Sequence, residues 1–251
     1  MRIIAVIPAR YQSTRYEGKP LADLAGKPMI WWVHRRVSAS PRIDAVYVAT
    51  DDQRIASVCE AHGIDHVMTS PEHPTSTDRV HEVATRIEAD LYICVNGDEP
   101  LISAATVEKI IPAEVSGAMA ANLCSRIEAA PEVIDPTNIK VARSRSGRAV
   151  FMSRAPIPYP KGSLDFAYYK HVGVLAYTRS ALDAFVANPR GPVEQVEDIN
   201  ELRFIENDIP LMMVEVAGSR TLSVDTPKDL EVVRAFVAQS DDPEIVRLRD
   251  C

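Results

Sequence analysis

The chain has 251 residues, of which 46% are hydrophobic and 25% are charged, the composition of an ordinary globular protein with a sizeable core. The 28 lysines and arginines against 35 acidic residues give a formal net charge of −7. This acidic balance argues against a nucleic-acid partner, since nucleic-acid binders usually carry a basic excess. No apolar stretch approaches the roughly 20 residues that cross a bilayer, so we predict no membrane association. The four cysteines lack the spacing of metal ligands. We expect reduced, mostly buried thiols and a cytoplasmic location.

The first half of the chain alternates strand-like and helix-like segments. Continuous apolar runs predict buried strands over residues 2–7, 45–50 and 91–96. Helix signals lie around and between them, over residues 28–40, 52–63 and 76–90. This alternation predicts βαβ units and a largely parallel sheet.

The pattern changes after about residue 118. A hairpin is predicted over residues 138–154, turning at Ser146 and Gly147. Further strands are predicted over residues 168–177 and 211–216, and further helices over residues 179–187, 194–206 and 227–239. The predicted fold is therefore one α/β domain over residues 1–251, with a mostly parallel central sheet flanked by helices. An inserted, smaller antiparallel lobe is predicted at about residues 138–210.

The loop after the first predicted strand, "IPARYQSTRYEGKPL", carries three cations, Arg10, Arg15 and Lys19. Arginine gives bidentate contacts to phosphate and lysine supplies a compact charge. Ligands of open α/β sheets bind beyond the carboxyl ends of the strands, so we predict that this loop holds a triphosphate. A solvated basic loop is the alternative. The loop has neither "GxxxxGK[ST]" nor "GxGxxG", which excludes a P-loop and disfavours a dinucleotide cofactor.

Two separate segments offer candidate metal ligands. Asp98 lies in "VNGDEPLI" directly after a predicted strand, and Asp225 lies in "SVDTPKDL" just before a helix that begins with a proline. Magnesium prefers one or two carboxylates together with phosphate oxygens, so two such carboxylates over a triphosphate would form a nucleotidyl-transfer site. A turn for the first segment and a helix cap for the second are the alternatives.

Taken together, these segments resemble the 3-deoxy-manno-octulosonate (Kdo) cytidylyltransferases. The motifs that carry the resemblance follow in family order over nearly the whole chain: "IPARYQSTRYEGKPL", "GKPMI", "VATDD", "TDR", "GDEP", "SRAPIPYP", "KHVG", "ELR" and "VDTP". The resemblance implies a nucleotidyltransferase fold of the nucleotide-diphospho-sugar transferase type, often dimeric. It also implies that CTP and a sugar acid react to give a CMP-acid and pyrophosphate.

The resemblance also implies roles for individual residues. Catalysis would fall to Arg10, Lys19 and Asp98. The nucleotide would be bound by Ala9, Arg10, Ser13, Arg15, Lys19, Thr50, Asp51, Ser76, Thr77 and Arg79. The acid would be bound by Asn96, Arg154, His171, Leu175, Asn200 and Glu201. Magnesium would be held by Asp98 and Asp225.

Several departures from the family pattern fall where the family holds its sugar acid. Asn96 replaces a glutamine, Leu175 replaces an aromatic residue, and Asn200 and Glu201 replace glutamate and glutamine. Deleting a buried polar partner or reversing its charge costs affinity. Kdo, the acceptor of the family, is the predicted acceptor. These departures make another ulosonic acid, or a phosphonate such as phosphonoformate, the alternative. A catalytically silent nucleotide-binding protein and an enzyme using UTP are further alternatives.

Overall fold

The structure is a computed structural model and describes residues 1–13, 15–163, 165–217 and 222–251. The strands are β1 (Ile3–Ala9), β2 (Asp23–Leu24), β3 (Lys27–Pro28), β4 (Ala45–Thr50), β5 (His66–Met68), β6 (Leu91–Val95), β7 (Ala120–Arg126), β8 (Lys140–Arg143), β9 (Ala149–Ser153), β10 (Tyr169–Tyr177) and β11 (Leu211–Val216). The α-helices are α1 (Met29–Ser38), α2 (Gln53–Ala61), α3 (Ser76–Arg86), α4 (Ala104–Glu108), α5 (Ala130–Ile134), α6 (Arg179–Ala187), α7 (Pro192–Glu197), α8 (Leu202–Glu206), α9 (Pro227–Gln239) and α10 (Pro243–Arg249). A short 3₁₀-helix covers Lys19–Leu21.

Among the described residues, the main sheet has nine strands, seven of which lie in the order β11-β7-β10-β6-β1-β4-β5. β1 is parallel to β4 and β6, β4 is parallel to β5, and β7 is parallel to β11. β10 runs antiparallel between β6 and β7. The predicted α/β class with a mostly parallel central sheet is therefore confirmed. The β8–β9 hairpin joins the sheet through β10, and β2 and β3 form a separate two-stranded ribbon.

Helices cover both faces of the sheet and bury two apolar cores. Along β1, Ile3, Ala5 and Ile7 face a core formed with α1, α2, α4, α9 and α10. The alternate residues Ile4 and Val6 face a second core formed with α3, α6 and α8. Because successive side chains of a strand point to opposite faces, a strand buried on both sides must be continuously apolar. This requirement explains why β1, β4 and β6 appear in the sequence as unbroken apolar runs.

The structure places most predicted elements at the expected residues. Elements that were not predicted are β2, β3, β5, β7, α4, α5 and α10, and two of the differences affect the site and the sheet. The helix predicted over residues 194–206 is wrong as one element: it is divided into α7 and α8, and Asp198 between them has a left-handed φ of 51°. Strand β7, "AANLCSR", was not predicted, although it lies inside the sheet between β10 and β11. Residues 138–210, predicted as an inserted lobe, contribute β10 to the central sheet. The division of the chain into domains stays a prediction.

No helix of the described residues is long and apolar enough to cross a membrane. The four cysteines are free thiols, and three of them, Cys59, Cys94 and Cys124, are buried. The prediction of mostly buried thiols is confirmed.

Candidate active site

A cavity of about 1130 Å³ opens at the carboxyl ends of β1 and β6. Its wall combines the loop after β1, the start of α3, the turn after β6, Arg154, one end of β10 and the segment between α7 and α8. The predicted site residues that line it are Ala9, Arg10, Ser13, Arg15, Lys19, Ser76, Arg79, Asn96, Asp98, Arg154, His171, Asn200 and Glu201. Segments far apart in sequence thus meet at one edge of the sheet, as the strand order requires.

Lys19 connects the two predicted metal ligands. Its Nζ donates to Asp98 Oδ2 at 3.0 Å and to the Val224 carbonyl at 2.8 Å. The same Nζ lies 3.8 Å from Asp225 Oδ1. Asp225 Oδ1 also forms an ion pair with Arg15 Nη2 at 2.9 Å. The Lys19 side chain is 15% exposed, so its charge is only partly screened by water. Two carboxylates and two cations therefore form one network, which we call the lysine cluster: Arg15, Lys19, Asp98 and Asp225.

Local backbone chemistry directs the two aspartates into this cluster. A Cβ atom on Gly97 would lie 2.9 Å from the Pro8 carbonyl oxygen, so only glycine allows the turn after β6 to pass this close to the end of β1. Asp98 follows directly. Thr226, not Asp225, is the N-cap of α9, where it forms a capping box with Asp229. The Asp225 carboxylate is therefore free to face the cations.

Arg10 and Arg79 differ in exposure and in whether their guanidinium groups form an ion pair with a described residue. Arg10 is exposed at the cavity and makes no side-chain hydrogen bond or ion pair with a described residue. Arg79 is 1% exposed, donates to Asp51 Oδ2 at 2.9 Å and to Thr69, and is therefore already neutralised. We infer that Arg10 has the guanidinium group available to an anionic ligand, whereas Arg79 holds the wall of the cavity in place.

Five predicted site residues do not line the cavity, which corrects the expectation of direct contact: the predicted metal ligand Asp225, which contacts Lys19 and Arg15, and four residues predicted to bind the nucleotide or the acid. Thr50 is fully buried, and Asp51 lies behind Arg79. Thr77 is also buried; its hydroxyl accepts from Asn200 Nδ2 at 2.8 Å and lies 3.3 Å from the Tyr177 hydroxyl. Leu175 is 1% exposed in the second core. Thr50, Asp51, Thr77 and Leu175 therefore contact residues below the cavity surface and not the cavity itself, because the strands and α3 direct their side chains away from it.

Arg154 lies at the other end of the cavity and is held by main-chain carbonyl groups. Its guanidinium donates to the carbonyls of Glu197 at 2.8 Å, Asp198 at 3.1 Å and Pro136 at 3.1 Å. The first two carbonyls are available because the chain leaves helical geometry at Asp198. The break between α7 and α8 therefore positions Arg154 beside the segment that carries Asn200 and Glu201.

His171 is oriented by a residue that the sequence analysis missed. Asn122 on β7 donates through Nδ2 to the carbonyls of Val172 at 2.9 Å and Val174 at 3.0 Å, where the pairing of β7 with β10 is irregular. Its Oδ1 lies 2.7 Å from His171 Nδ1, so that nitrogen must carry the proton. Burial lowers the pKa of His171, while Glu201 and Asp98 raise it. The sequence carries no local signal for this pair, because β7 itself was not predicted and Asn122 pairs with Leu175 in the strand register, not with His171.

Asn96 and Glu201 complete the end of the cavity near His171. A Cβ atom on Gly173 would lie 2.9 Å from Asn96 Nδ2, so Asn96 packs directly on the β10 backbone. Glu201 is 4% exposed and lines the cavity, yet its carboxylate makes no hydrogen bond or ion pair with a described residue. The cavity thus has a cation-rich end around Lys19 and Arg10, and a second end with Arg154, His171 and Glu201.

The residues described by the structure contain no group of three or more histidine, cysteine or acidic side chains placed to hold a metal ion. A cation at this site would therefore have to complete its shell with water or ligand oxygens. Asp98 and Asp225 share Lys19, and their side chains are 26% and 30% exposed. Hard carboxylate oxygens with open positions fit Mg²⁺, which keeps several waters and uses few protein ligands.

Comparison with known proteins agrees with this geometry. The family model described as "Cytidylyltransferase" matches residues 4–213. The chain is 40% identical over 240 residues to a 3-deoxy-manno-octulosonate cytidylyltransferase of Escherichia coli, covering 95% of this chain and 97% of that protein. It is 37% identical over 247 residues to an 8-amino-3,8-dideoxy-manno-octulosonate cytidylyltransferase of Shewanella woodyi, covering 95% and 99% of the two chains.

Solved structures show the same fold. A CMP:2-keto-3-deoxy-manno-octonic acid synthetase complexed with CTP superposes with a TM-score of 0.88 at 40% identity, covering 95% of this chain and 99% of the other. The inositol-1-phosphate CTP transferase from T. maritima superposes with a TM-score of 0.67 at 12% identity, covering 96% and 97% of the two chains, and this likeness concerns the fold alone. The resemblance stated from the sequence motifs is confirmed.

Proposed function

Because the chain belongs to the cytidylyltransferase family, we propose that it couples CMP to a sugar acid, 3-deoxy-manno-octulosonate, and releases pyrophosphate. The observation that carries this proposal is one cavity with two chemically different ends. The lysine cluster and Arg10 suit a triphosphate, and the end with Arg154, His171 and Glu201 suits a polar acid. A cavity of about 1130 Å³ exceeds the usual range for one small ligand and has room for two.

In the proposed reaction, a hydroxyl oxygen of the acid attacks the α-phosphorus of CTP. The bond between that phosphorus and the oxygen bridging to the β-phosphorus breaks, the hydroxyl proton is lost, and pyrophosphate leaves. Little covalent chemistry is required of the protein, so positioning and charge neutralisation dominate. Lys19 is held by Asp98 and the Val224 carbonyl before any ligand arrives, so this cation needs little reorganisation as charge develops on the leaving group.

We propose that Asp98 and Asp225 hold Mg²⁺ when the nucleotide is bound. When bound, the ion would neutralise phosphate charge and orient the triphosphate. The carboxylates are partly exposed, and both lie near Lys19 Nζ, at 3.0 and 3.8 Å, which supports a shared site. The magnesium dependence of variants at the two aspartates tests this assignment, as argued in the Discussion.

The test of the function is release of pyrophosphate from CTP and Mg²⁺ with a panel of acids: Kdo, its 8-amino derivative, sialic acid and phosphonoformate. We expect Kdo to support turnover and CTP to be used in preference to UTP. Intact CTP binding without pyrophosphate from any acid would favour a silent nucleotide-binding protein. Faster turnover of phosphonoformate than of Kdo would contradict the proposed acceptor.

Two further features stay predictions. A homodimer was predicted from the resemblance, and a cytoplasmic location from the composition and the cysteines. The three buried free thiols are compatible with a reducing compartment. Sedimentation of the purified protein tests the dimer, and a mass of one chain would contradict it.

A further inference from the structure

The loop between β5 and α3, residues 69–75, forms part of the cavity wall. Pro74 and Thr75 of this loop line the cavity, together with Ser76, the first residue of α3. Thr75 also caps α3, because its hydroxyl and the Asp78 carboxylate form a capping box. The helix end of the loop is therefore fixed by local bonds, whereas the polar groups earlier in the loop need other partners.

Glu82 on α3 supplies those partners. Its Oε2 accepts from the Ser70 amide at 2.8 Å and lies 2.5 Å from His73 Nε2. Its Oε1 accepts from Arg86, one helical turn further on, which also donates to the Met68 carbonyl at the end of β5. One carboxylate thus ties α3 to the start of the loop, to its middle and, through the arginine, to the strand before it.

Glu82 is charged in this arrangement and partly shielded from water. Its side chain is 17% exposed, and that of His73 is 21% exposed. Burial acts to raise the pKa of Glu82, but the Ser70 amide, His73 and Arg86 together lower it below its usual range. An i,i+4 pair with an exposed arginine contributes little by itself. The two bonds to the loop span nine and twelve residues, so they constrain the loop and not only the helix.

Glu82 lies outside the cavity and can affect a ligand only through the loop. Neither Glu82 nor its partners Ser70 and His73 line the cavity. The loop follows β5, which is separated from β10 by the three strands β4, β1 and β6. The resemblance places the nucleotide along this wall, at Ser76 and Arg79. An effect of the loop is therefore expected on the nucleotide before the acid.

We propose that Glu82 is a positioning residue for the nucleotide: through Ser70 and His73 it holds the β5–α3 loop in its binding conformation before CTP arrives. This inference rests on the proposed function, and it deepens it by naming a residue outside the cavity that determines the affinity for CTP. A loop that is already ordered costs little further ordering on binding. Loss of Glu82 should therefore weaken CTP binding without altering the reacting groups.

The test compares Glu82→Ala, which removes every contact of the carboxylate, with Glu82→Gln, which keeps one carbonyl oxygen as an acceptor. His73→Ala removes one loop partner alone. Glu88→Ala is the matched control, because Glu88 is exposed, lies outside the cavity and makes no hydrogen bond or ion pair with a described residue. For each protein, the Kd for CTP with Mg²⁺ is measured by calorimetry without acid, together with kcat, the KM for CTP, the KM for Kdo and the melting temperature.

We expect Glu82→Ala to raise the Kd and the KM for CTP by about 10-fold, because the nucleotide must then order the loop. Glu82→Gln should raise both by a smaller factor, since one acceptor remains. The kcat at saturating CTP and the KM for Kdo should stay within about two-fold of the wild-type values, because a residue that only favours binding changes KM and not kcat.

The double variant His73→Ala/Glu82→Ala distinguishes positioning of the loop from two unrelated effects. Residues that act as one unit are not additive, so the rise in the Kd for CTP should be smaller than the product of the two single rises. A rise equal to that product would show that His73 and Glu82 act independently, and it would overturn the inference.

An unchanged Kd for CTP in folded Glu82→Ala would overturn the inference while leaving the proposed function intact. Equal rises in the KM for CTP and the KM for Kdo would also overturn it, because they would show a general structural role. If Glu82→Ala does not fold, the same measurements on Glu82→Gln and His73→Ala take its place. Absence of CTP binding by the wild type would contradict the proposed function itself, and the inference with it.

Discussion

Lys19 and its two aspartates show how a single ammonium group can join two distant segments at the candidate active site. Asp98 and Asp225 come from segments more than 100 residues apart, yet both face Lys19 Nζ, at 3.0 and 3.8 Å. The Val224 amide also donates to the Asp98 carbonyl at 2.9 Å, which ties the two segments together through the backbone. The position of the carboxylates therefore depends on the main chain as well as on the lysine.

This arrangement gives the first prediction at the residue scale. Asp98→Asn and Asp225→Asn keep the side-chain volume but lose the charge that would attract Mg²⁺ in the proposed site. We expect each to lower turnover at fixed Mg²⁺ by at least about 10- to 100-fold, the loss found even for partners of metal ligands, and to require more Mg²⁺ for half-maximal rate. Magnesium titrations of the pyrophosphate assay measure both effects. The exposed Asp241→Asn is the control, and normal magnesium dependence in either active-site variant would refute the assignment.

His34 on α1 gives a prediction about pH and stability. It is 9% exposed, and burial, followed by the charge of Arg35, lowers its pKa from 6.5 to about 4. Between these values the unfolded chain binds a proton that the folded protein does not. The contribution of His34 to the free energy of unfolding is therefore complete above pH 6.5 and is lost as the pH falls towards 4. The total loss is roughly 3 kcal/mol, since one pKa unit corresponds to about 1.4 kcal/mol.

The measurement is urea unfolding of the wild type and His34→Gln at several values between pH 4 and 7. Over this interval, the free energy of unfolding of His34→Gln should fall less than that of the wild type. Plots of the free energy of unfolding against pH for the two proteins should therefore converge as the pH falls. His66→Gln, at a partly exposed histidine, is the control. Parallel curves for the wild type and His34→Gln would contradict the stated role of burial.

At the scale of elements, the break between α7 and α8 is the feature that most affects the site. Asp198 has a φ of 51°, a left-handed conformation that costs most residues about 1–2 kcal/mol but that asparagine and aspartate tolerate better. The carbonyls of Glu197 and Asp198 turn towards Arg154 at this point. A continuous helix would have used the Glu197 and Asp198 carbonyls for its own hydrogen bonds.

Substitutions at Asp198 test this explanation. Asp198→Val should lower the free energy of unfolding by about 1–2 kcal/mol because a β-branched residue is strained at positive φ, and it should raise the KM for the acid by misplacing Arg154. Asp198→Asn should leave stability nearly unchanged, since the exposed ion pair with Arg190 contributes little. Chemical denaturation and steady-state kinetics check both. Equal stability of the two variants would show that backbone strain is not the reason for the break.

The sequence predicted elements well where one local pattern decides the structure. β4, β11, α6 and α9 have the predicted bounds because apolar runs, caps and an initial proline mark them. β7 lacks the β-branched residues that mark strands, and its place between β10 and β11 comes from tertiary pairing. The broken helix was missed for the same reason, since apolar spacing continues across it while the contacts of Arg154 do not appear in a local pattern.

The same limit applies to the candidate site. The loops that follow β1 and β6 were predictable, because parallel strands end at one edge of a sheet. Leu175 was placed at the acid because of its position in a motif, but it pairs with Cys94 well inside the sheet and packs in the core. Asn122 could not be found, since its role depends on an irregular strand pairing that brings its side chain within hydrogen-bond distance of His171.

For the whole molecule, charge and topology fit the same function. The chain carries a formal net charge of −7, yet six arginine or lysine side chains line the cavity against four carboxylates: Arg10, Arg15, Lys19, Arg79, Arg154 and Arg190 against Glu17, Asp98, Asp198 and Glu201. Cations gathered in one cleft of an acidic protein favour an anionic ligand there. The sheet order brings the cation-rich loop after β1 and one end of β10 to the same edge, where two substrates would meet in the proposed transfer.

The central claim is that the cytidylyl group, and no other part of CTP, is transferred to the acid. Incubation with CTP labelled at the α-phosphorus, Mg²⁺ and Kdo, followed by separation of the products, tests it most directly. The label is predicted to move into a phosphodiester that contains the acid, with one equivalent of unlabelled pyrophosphate. Label recovered only as free CMP or CDP at a rate independent of the acid would contradict cytidylyl transfer.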